Sequence, residues 1–269
     1  MSPVHRRVRV VGIGAGHPDQ VTVEAVRALD EVNVFVVADK RRGNGGATDD
    51  LVALREEVLR RHVTHPHRVA YVDDPRRDRS KRVDDDPAAY ERAVADWHEA
   101  RVEAYEQVLT DEVADGETVG FLVWGDPAFY DSTIRIVGRM AERGHVVPDW
   151  DVVPGISALQ LLAARHRIVL NDVGAPLTVT TGRQLMAEVD AGRDAILVVL
   201  NRDFSATALV DGAHGDWDLW WGANLGTPGE ALVSGPLADV ADDVVAARDR
   251  VKAQHGWVMD TYLLRRRPA

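Results

Sequence analysis

Three short segments of the sequence carry residue types and spacings that suit the binding of a small ligand. They are GIGAGHPD at residues 12–19, GDPAFY at residues 125–130 and PGISA at residues 154–158. Each follows an apolar run and precedes a stretch with helical periodicity. Glycine lets a backbone pass close to a ligand because it has no Cβ. Loops that follow parallel strands leave the same edge of a sheet, so these three segments should line one crevice.

The glycine pattern of the first segment leaves the type of ligand open. The dinucleotide-binding pattern G-x-G-x-x-G would need its third glycine at His17. Pro18 disfavours helix at the residue before it, so the helix should begin late, near Thr22, a good N-cap residue. The missing glycine and the late helix weaken the dinucleotide interpretation, but Asp39, which ends the next apolar run, fits a ribose contact and keeps that interpretation open. An ordinary tight turn between strand and helix is the other alternative.

The composition narrows the class of protein. The chain has 269 residues, of which 45% are hydrophobic and 28% charged, as in globular proteins with one large or two small domains. It has no cysteine, which excludes disulfides and thiol catalysis. The net charge of −11 argues against nucleic acid as a partner. The longest apolar run, at residues 195–200, is too short for a membrane span, and the first residues lack an apolar signal segment, so we expect a cytoplasmic protein.

Histidines and arginines offer further candidate sites. The spacing H-x-x-H-x-H at residues 62–67 lacks an accompanying carboxylate arrangement, so we expect no metal site there. Arg76, Arg77 and Arg79 lie in the charged segment 73–87, which should be a loop. Arginine pairs well with carboxylates, and we therefore regard these three as candidate substrate-binding residues. The alternative is a solvated surface run.

The order of predicted elements indicates two α/β domains. Strands and helices alternate in the first half, which predicts a parallel sheet, whereas the second half has more strands than helices and predicts a mixed sheet. We place the N-terminal domain, with the glycine-rich loop and the GDP motif, at residues 1–151 and the C-terminal domain at residues 152–269. Residues 146–153 are predicted as either a pair of strands or a strand and a turn.

Together the three segments resemble the motifs of the tetrapyrrole methylase family, and WWGANLGTPGEALVSG at residues 220–235 resembles a later segment of that family. The resemblance covers both ends of the chain. It implies a two-domain α/β fold with a cleft between the domains, S-adenosyl-L-methionine as the cofactor, a tetrapyrrole as the substrate and a homodimer. The likeness is strongest to members of the cobalamin pathway, and it implies C-1 methylation of a precorrin with release of acetate.

The resemblance also implies which residues meet the cofactor, mainly through small side chains and backbone. These candidates are Gly14, Ala15, Gly125, Asp126, Phe129, Ser157, Ala158, Leu200, Ala223 and Thr227. The sequence departs from the family pattern in two places. In the first loop, the family's proline is Ala15 here and its acid is His17, and after a strand of the second domain the family's Met-Gly is Leu200-Asn201. The alternatives are structural: Ser157 as a helix cap, Asp126 as a turn residue, and the residues from Leu200 onward as core or turn positions.

The implied chemistry has two parts. Methyl transfer from a sulfonium to a carbon needs orientation more than a strong acid. Release of acetate needs water at a carbonyl and hence a general base, for which His17, Tyr130 and Asp131 are the main candidates and His98 is a further one. Two alternative functions stay open: another precorrin or porphyrin C-methylase, and a nucleotide-binding module without catalysis.

Overall fold

The computed structural model describes residues 3–39, 50–73, 75, 86–211, 214 and 216–267. The chain divides into two compact units, Met1–Ile156 and Ser157–Ala269, each with its own sheet and core. Residue 151, where the sequence places the domain boundary, lies within the last strand of the first unit. That strand pairs with the first strand of the chain as far as Val153, which keeps it in the first unit.

The first unit alternates strands and helices, as the sequence predicts. Its strands are β1 (Val4–Gly12), β2 (Val34–Asp39), β3 (Arg68–Asp73), β4 (Thr118–Val123) and β5 (Val146–Val153). Its helices are α1 (Val23–Leu29), α2 (Asp50–His62), α3 (Pro87–Asp111) and α4 (Thr133–Arg143). The strands lie in the order β3-β2-β4-β1-β5 and every neighbouring pair is parallel, which confirms the predicted parallel sheet.

Helices cover both faces of this parallel sheet. Successive residues of a strand point to opposite faces, and β1 shows the result. Val10 packs in a core cluster with residues of α3 and α4, whereas Val11 packs with residues of α1 and α2. Burial of both faces explains why the central strand β4, TVGFLV, is a nearly continuous apolar run and not an alternating pattern.

Local signals set the ends of the helices around the loops. A single 3-10 turn, Pro18–Gln20, follows the glycine loop, and α1 begins only after Thr22. The Oγ1 of Thr22 accepts the N–H of Ala25 at 3.1 Å, so the predicted late helix start and its cap are confirmed. At the other end of the unit, α4 stops at Gly144, which takes the left-handed conformation at φ +71° as a C-cap glycine should.

Residues 146–153 form one strand, so the alternative of a strand pair was wrong. Pro148 lies within β5, where it pairs with Arg6 of β1. Proline is tolerated there because β5 is an edge strand, whose outer side forms no ladder bonds. No helix among the described residues has the length and hydropathy needed to cross a membrane.

The second unit is built on a mixed sheet. Its strands are β6 (Thr178–Thr181), β7 (Ala195–Val199), β8 (Trp217–Ala223), β9 (Ala231–Pro236) and β10 (Asp260–Arg266), and its helices are α5 (Ala158–His166), α6 (Leu185–Asp190) and α7 (Leu237–His255). The strand order is β6-β7-β10-β8-β9. The β6–β7 pair is parallel and the other pairs are antiparallel, which confirms the predicted mixed sheet.

The core of the second unit accounts for two of the tryptophans whose role the sequence leaves open. Trp217 and Trp221 are 2% and 0% exposed and pack with residues of α6 and α7. On β8, Gly222 makes room for α5, since a Cβ there would lie 3.0 Å from Cδ1 of Leu162. Trp217 and Trp221 therefore contribute to the core, and a glycine on the same strand admits a helix.

Candidate active site

The three glycine-containing loops of the first unit follow neighbouring strands. In the sheet order, β1 lies between β4 and β5, and all three strands are parallel. The loops after them therefore leave the same edge of the sheet, at its carboxyl end. This is the edge at which open α/β sheets bind ligands.

The first two loops bond directly to each other. The N–H of Gly125 donates to the carbonyl of Gly14 at 2.8 Å, and the N–H of Gly14 donates back to the carbonyl of Gly125 at 3.3 Å. Both glycines have positive φ, +81° for Gly14 and +69° for Gly125. A side chain on Gly14 would also meet Gln20, since its Cβ would lie 2.8 Å from the Cβ of that residue. Glycine at these positions is therefore a requirement of the backbone.

Asp126 joins the second loop to the third. Its Oδ2 accepts the N–H of Gly155 at 2.9 Å, and its Oδ1 accepts the N–H of Ala128 at 2.8 Å. Gly155 in turn lies against the first loop, because a Cβ there would be 2.8 Å from the carbonyl carbon of Gly12. The carboxylate thus acts both as a turn residue and as a connection between loops that are far apart in the sequence.

Residues of α2, which the sequence did not connect to the site, hold the first loop. The guanidinium of Arg61 pairs with Asp19 at 2.7 Å, and Nε2 of His62 lies 2.9 Å from the carbonyl oxygen of Pro18. His17 caps the 3-10 turn, since its Nδ1 accepts the N–H of Asp19 at 3.2 Å. In the sequence, His62 stood out only as part of the H-x-x-H-x-H spacing, which was weighed as a metal site and not as a support for this loop.

The other two histidines of that spacing also contact backbone. The Nδ1 of His65 lies 3.0 Å from the carbonyl oxygen of Pro66, and the Nδ1 of His67 lies 3.0 Å from that of His65. Among the described residues, no group of three or more histidine or acidic side chains is arranged to hold a metal ion.

The second loop ends in exposed aromatic side chains. Phe129 and Tyr130 are 46% and 49% exposed, and Tyr130 has a φ of +56°, a conformation that costs energy in a residue with a Cβ. Partial burial of the phenol raises the pKa of Tyr130 above its ordinary value. Asp131 caps the start of α4, since its Oδ1 accepts the N–H of Thr133 at 2.6 Å.

Arg101 on α3 supports the same loop and was not recognised in the sequence. Its Nη1 donates to the Oγ of Ser132 at 2.8 Å and its Nη2 donates to the hydroxyl of Tyr105 at 2.7 Å. The guanidinium also lies over the ring of Trp97, 4.9 Å from its centre. A signal existed in the sequence of α3, because Arg101 interrupts a stripe of apolar residues at helical spacing that includes Trp97, Tyr105 and Val108. A polar residue that interrupts such a stripe often has a specific partner.

In the second unit, the candidate cofactor residues lie where strands end. Leu200 follows β7, is 62% exposed and has a φ of +54°. Ala223 is fully buried at the end of β8, and the hydroxyl of Thr227 donates to the carbonyl of Asn224 at 2.8 Å in the turn that follows. Asn224 itself is buried with a φ of +46°.

Ser157 and Ala158 begin α5. Ser157 forms a capping box with Gln160: its Oγ accepts the N–H of Gln160 at 3.3 Å, and the Oε1 of Gln160 accepts the N–H of Ser157 at 2.8 Å. Capping thus accounts for the serine, as the structural alternative expected. A second role in ligand binding stays a prediction, and Ala158 is partly buried at the first position of the helix.

A buried charged cluster lies beside these strand ends. Trp221 and Arg248 both donate to Oδ2 of Asp260, at 3.0 Å and 3.1 Å. Burial raises the pKa of Asp260 above its ordinary value. Sequence reasoning missed this pair; its signal was an acidic residue at the start of the apolar segment DTYLL. The candidate substrate residues Arg76, Arg77 and Arg79 lie outside the described residues.

Comparisons with known proteins identify the family to which the chain belongs. The sequence model of one family, Tetrapyrrole (Corrin/Porphyrin) Methylases, matches residues 7–241. The chain therefore belongs to the tetrapyrrole methylase family and is an α/β methyltransferase. Within that family, it is 37% identical over 263 residues to the precorrin-6A synthase [deacetylating] of Sinorhizobium sp, a match that covers 97% of this chain and 95% of that protein.

Solved structures agree with this assignment. A cobalamin-synthesis-related protein (CobF) from Corynebacterium diphtheriae superposes with a TM-score of 0.78 at 31% identity, covering 98% of this chain and 99% of the other. The uroporphyrin-III C-methyltransferase of Thermus thermophilus, solved with S-adenosyl homocysteine, has a TM-score of 0.55 at 19% identity, covering 96% of each chain. The second likeness concerns the fold alone.

Proposed function

We propose that this protein is an S-adenosyl-L-methionine-dependent C-methyltransferase of cobalamin biosynthesis, which methylates precorrin-5 at C-1 and releases acetate to give precorrin-6A. The observation that carries the proposal is the likeness along almost the whole chain to a deacetylating precorrin-6A synthase, at 37% identity. The three connected loops of the first unit support it, because they belong to the motifs on which the family resemblance rests.

The residues present fit an adenosyl cofactor. Leu200 offers an exposed apolar side chain, which suits the face of an adenine ring. Asn201 follows β7 and Asn224 follows β8. One buried polar atom of each, Oδ1 of Asn201 and Nδ2 of Asn224, has no hydrogen-bond partner within the described part of the chain. The oxygen is an acceptor and the nitrogen a donor, so together they suit a ligand that has both a donor and an acceptor group. Asp126 keeps acceptor capacity beyond its two backbone bonds, which suits the ammonium group of the methionine part.

The proposed reaction balances without a metal or a redox step. The cofactor supplies a methyl group on a sulfonium sulfur, which becomes a neutral thioether. Water adds to the carbonyl of the acetyl group on C-1, a base takes its proton, and the carbon–carbon bond to the ring breaks. The acetyl group leaves as acetate, and the electron pair left at C-1 is the nucleophile for the methyl group. The two protons of the water molecule are both released, one to the base when water adds and the other when acetic acid ionises to acetate. The protein then has to orient two reacting centres and accept the first of these protons.

The three candidate catalytic residues suit different parts of this scheme. The raised pKa of Tyr130 keeps its phenol neutral near pH 7, so it suits a hydrogen-bond donor to the carbonyl oxygen and not a base. His17 accepts a backbone N–H through Nδ1, which places its proton on Nε2 and makes it a donor in that tautomer. Asp131 is an acceptor, and we propose it as the general base.

Arg76, Arg77 and Arg79 remain the proposed contacts for the carboxylates of the substrate. A protein with a net charge of −11 repels a polyanion at long range, so it needs local cations to bind one. Replacing all three with alanine should weaken tetrapyrrole binding and leave S-adenosyl homocysteine binding unchanged. Equal tetrapyrrole affinity in the variant and the parent would refute this role.

Two measurements test the proposed function. Calorimetric titration with S-adenosyl homocysteine and with NAD separates the methylase from the dinucleotide interpretation, and binding of NAD alone would overturn the proposal. Incubation with precorrin-5 and methyl-labelled cofactor should then give one labelled methyl group and one acetate per turnover. Methylation without acetate would indicate a different C-methylase, and binding of the cofactor without any methylation would indicate a non-catalytic module.

The cytoplasmic location and the homodimer remain predictions. Light scattering on the purified protein measures its mass in solution and decides between a monomer and a homodimer.

A further inference from the structure

Two residues at strand ends of the second unit adopt a conformation that favours glycine, although neither is glycine. Leu200 follows β7 with a φ of +54°, and Asn224 follows β8 with a φ of +46°. The left-handed conformation is costly for a residue with a Cβ, and more so for leucine than for asparagine. Such strain persists only when the surroundings impose it, and it is common at ligand-binding positions. Contacts with neighbouring residues therefore have to hold the positive φ of both residues in place.

Arg248 of α7 fixes the turn after Leu200. Its Nη2 donates to the carbonyl of Arg202 at 2.7 Å and lies 3.4 Å from the carbonyl of Asn201. Its Nε donates to Oδ2 of Asp260 at 3.1 Å, so the guanidinium connects the turn to the first residue of β10. One side chain thereby holds two successive carbonyls directly after the strained leucine.

Asp260 and its neighbours fix the other strand end. The N–H of Asn224 donates to the carbonyl of Met259 at 2.8 Å, and the side-chain Oδ1 of Asn224 accepts the N–H of Met259 at 2.9 Å. In the ladder between β8 and β10, Asp260 pairs with Ala223. The carbonyl of Asp260 also accepts the side-chain N–H of Asn201 at 3.3 Å. Both strained turns are therefore attached to one residue.

The ion pair between Arg248 and Asp260, at the centre of this network, should add little net stability to the fold. The side chains of Asp260 and Arg248 are 1% and 11% exposed. Desolvating two charges costs about as much as their attraction returns, and apolar replacements of buried pairs are often neutral or stabilising. The pair does have a geometric effect, since the planar fork of arginine holds several acceptors in a fixed arrangement, whereas the three donors of lysine share one nitrogen on a flexible stem.

We propose that Arg248 and Asp260 are positioning residues for the cofactor. They hold Leu200 and the turn at Asn224 in the conformations that present them to the adenosyl group, without touching it themselves. This inference rests on the proposed function, because it assumes that these strand ends bind S-adenosyl-L-methionine.

The test compares substitutions in the Arg248–Asp260 pair, beside the start of β10, with a substitution at the far end of that strand. Arg248→Lys keeps the charge and removes the fork, and the double variant R248M/D260N removes both charges while leaving Trp221 an acceptor. The control is Arg266→Lys, because Arg266 makes the same kinds of contact at the far end of the strand: its Nε pairs with Asp194 at 2.9 Å, and its Nη1 donates to the carbonyl of His214.

We expect Arg248→Lys and the double variant to raise the dissociation constant of S-adenosyl homocysteine about tenfold, a large effect for residues that do not touch the ligand. The KM for S-adenosyl-L-methionine should rise by a similar factor with kcat nearly unchanged, whereas the KM for the tetrapyrrole and the cooperative unfolding transition should stay as in the parent. Arg266→Lys should leave the dissociation constant within about twofold.

The outcomes separate this inference from the function on which it rests. Equal affinity for S-adenosyl homocysteine in the parent and both Arg248 variants would overturn the positioning role and leave the proposed function intact. Equal weakening by Arg266→Lys would also overturn it, because the effect would then be general to the unit. A parent protein that binds no S-adenosyl homocysteine would overturn both. Should the single variant fail to fold, the double variant decides.

Discussion

Replacing Gly155 with alanine tests whether the three loops of the first unit have to touch. The new Cβ would lie 2.8 Å from the carbonyl carbon of Gly12 and closer still to the carbonyl oxygen of Gly125. Both are backbone atoms, so no side-chain rotation relieves the contacts. Overpacking of this kind and a weakened bond between the Gly155 N–H and the Asp126 carboxylate should together cost about 3 kcal/mol of unfolding free energy.

This cost should be visible in two assays. A loss of that size in a unit of about 150 residues lowers the midpoint of thermal unfolding by roughly 10 °C. Calorimetric titration should show weaker binding of S-adenosyl homocysteine, because the loops that the cofactor is proposed to contact would move apart. The expected loss of affinity is about tenfold or more.

Gly138→Ala is the matched control. Gly138 lies within α4, in the same unit, and a Cβ there would meet no atom within 4 Å. Alanine in an open helical position should stabilise the unit by about 0.5–1 kcal/mol. The two glycine substitutions should therefore have opposite signs. Unfolding and cofactor binding of Gly155→Ala that match the parent protein would refute the argument that the loops need this close approach.

Three further substitutions have expected outcomes. Arg6→Met removes donors to the carbonyls of Leu109 and Val113 at the end of α3, at 2.9 Å and 2.7 Å, and should cost about 3 kcal/mol in denaturant unfolding. The hydrogen bond from Arg68 lowers the pKa of Glu117. This pair therefore adds stability above about pH 4.5, and that stability is lost as the pH falls through the lowered pKa. E117Q should make unfolding less sensitive to acid, and the change should be small because the pair is exposed. Leu200→Gly should relieve the positive φ and change stability by between zero and about +1 kcal/mol, yet weaken binding of S-adenosyl homocysteine in calorimetry.

The sequence predicted those parts of the fold whose causes are local. The late start of α1 was predictable because Pro18 and Thr22 act within one turn of the chain, and the end of α4 was predictable from Gly144. The end of α7 at His255 has the same kind of local cause, since Gly256 follows as a left-handed cap. Signals of this kind depend on a few neighbouring residues and survive any tertiary arrangement.

The contacts that organise the candidate site were less predictable because they join residues far apart in the sequence. Asp126 was recognised as a turn residue and as a cofactor contact, but its bond to Gly155 depends on β4 and β5 flanking β1. The support from Arg61 to Asp19 depends in the same way on α2 packing beside the first loop. A single sequence contains both partners of each pair and no information that they meet.

Backbone strain is the feature of this site that sequence reasoning is least able to foresee. In the described residues, the positive-φ positions that are not glycine are Tyr130, Arg167, Leu200 and Asn224. Arg167 has a local cause, since it ends α5 as a C-cap. The other three follow β4, β7 and β8, and no helix cap explains them. Asparagine adopts this region readily, and Oδ1 of Asn224 accepts the N–H of Met259. Glycine would adopt the conformation of Leu200 at lower cost, so Leu200→Gly separates the stability of this turn from its proposed contact with the cofactor.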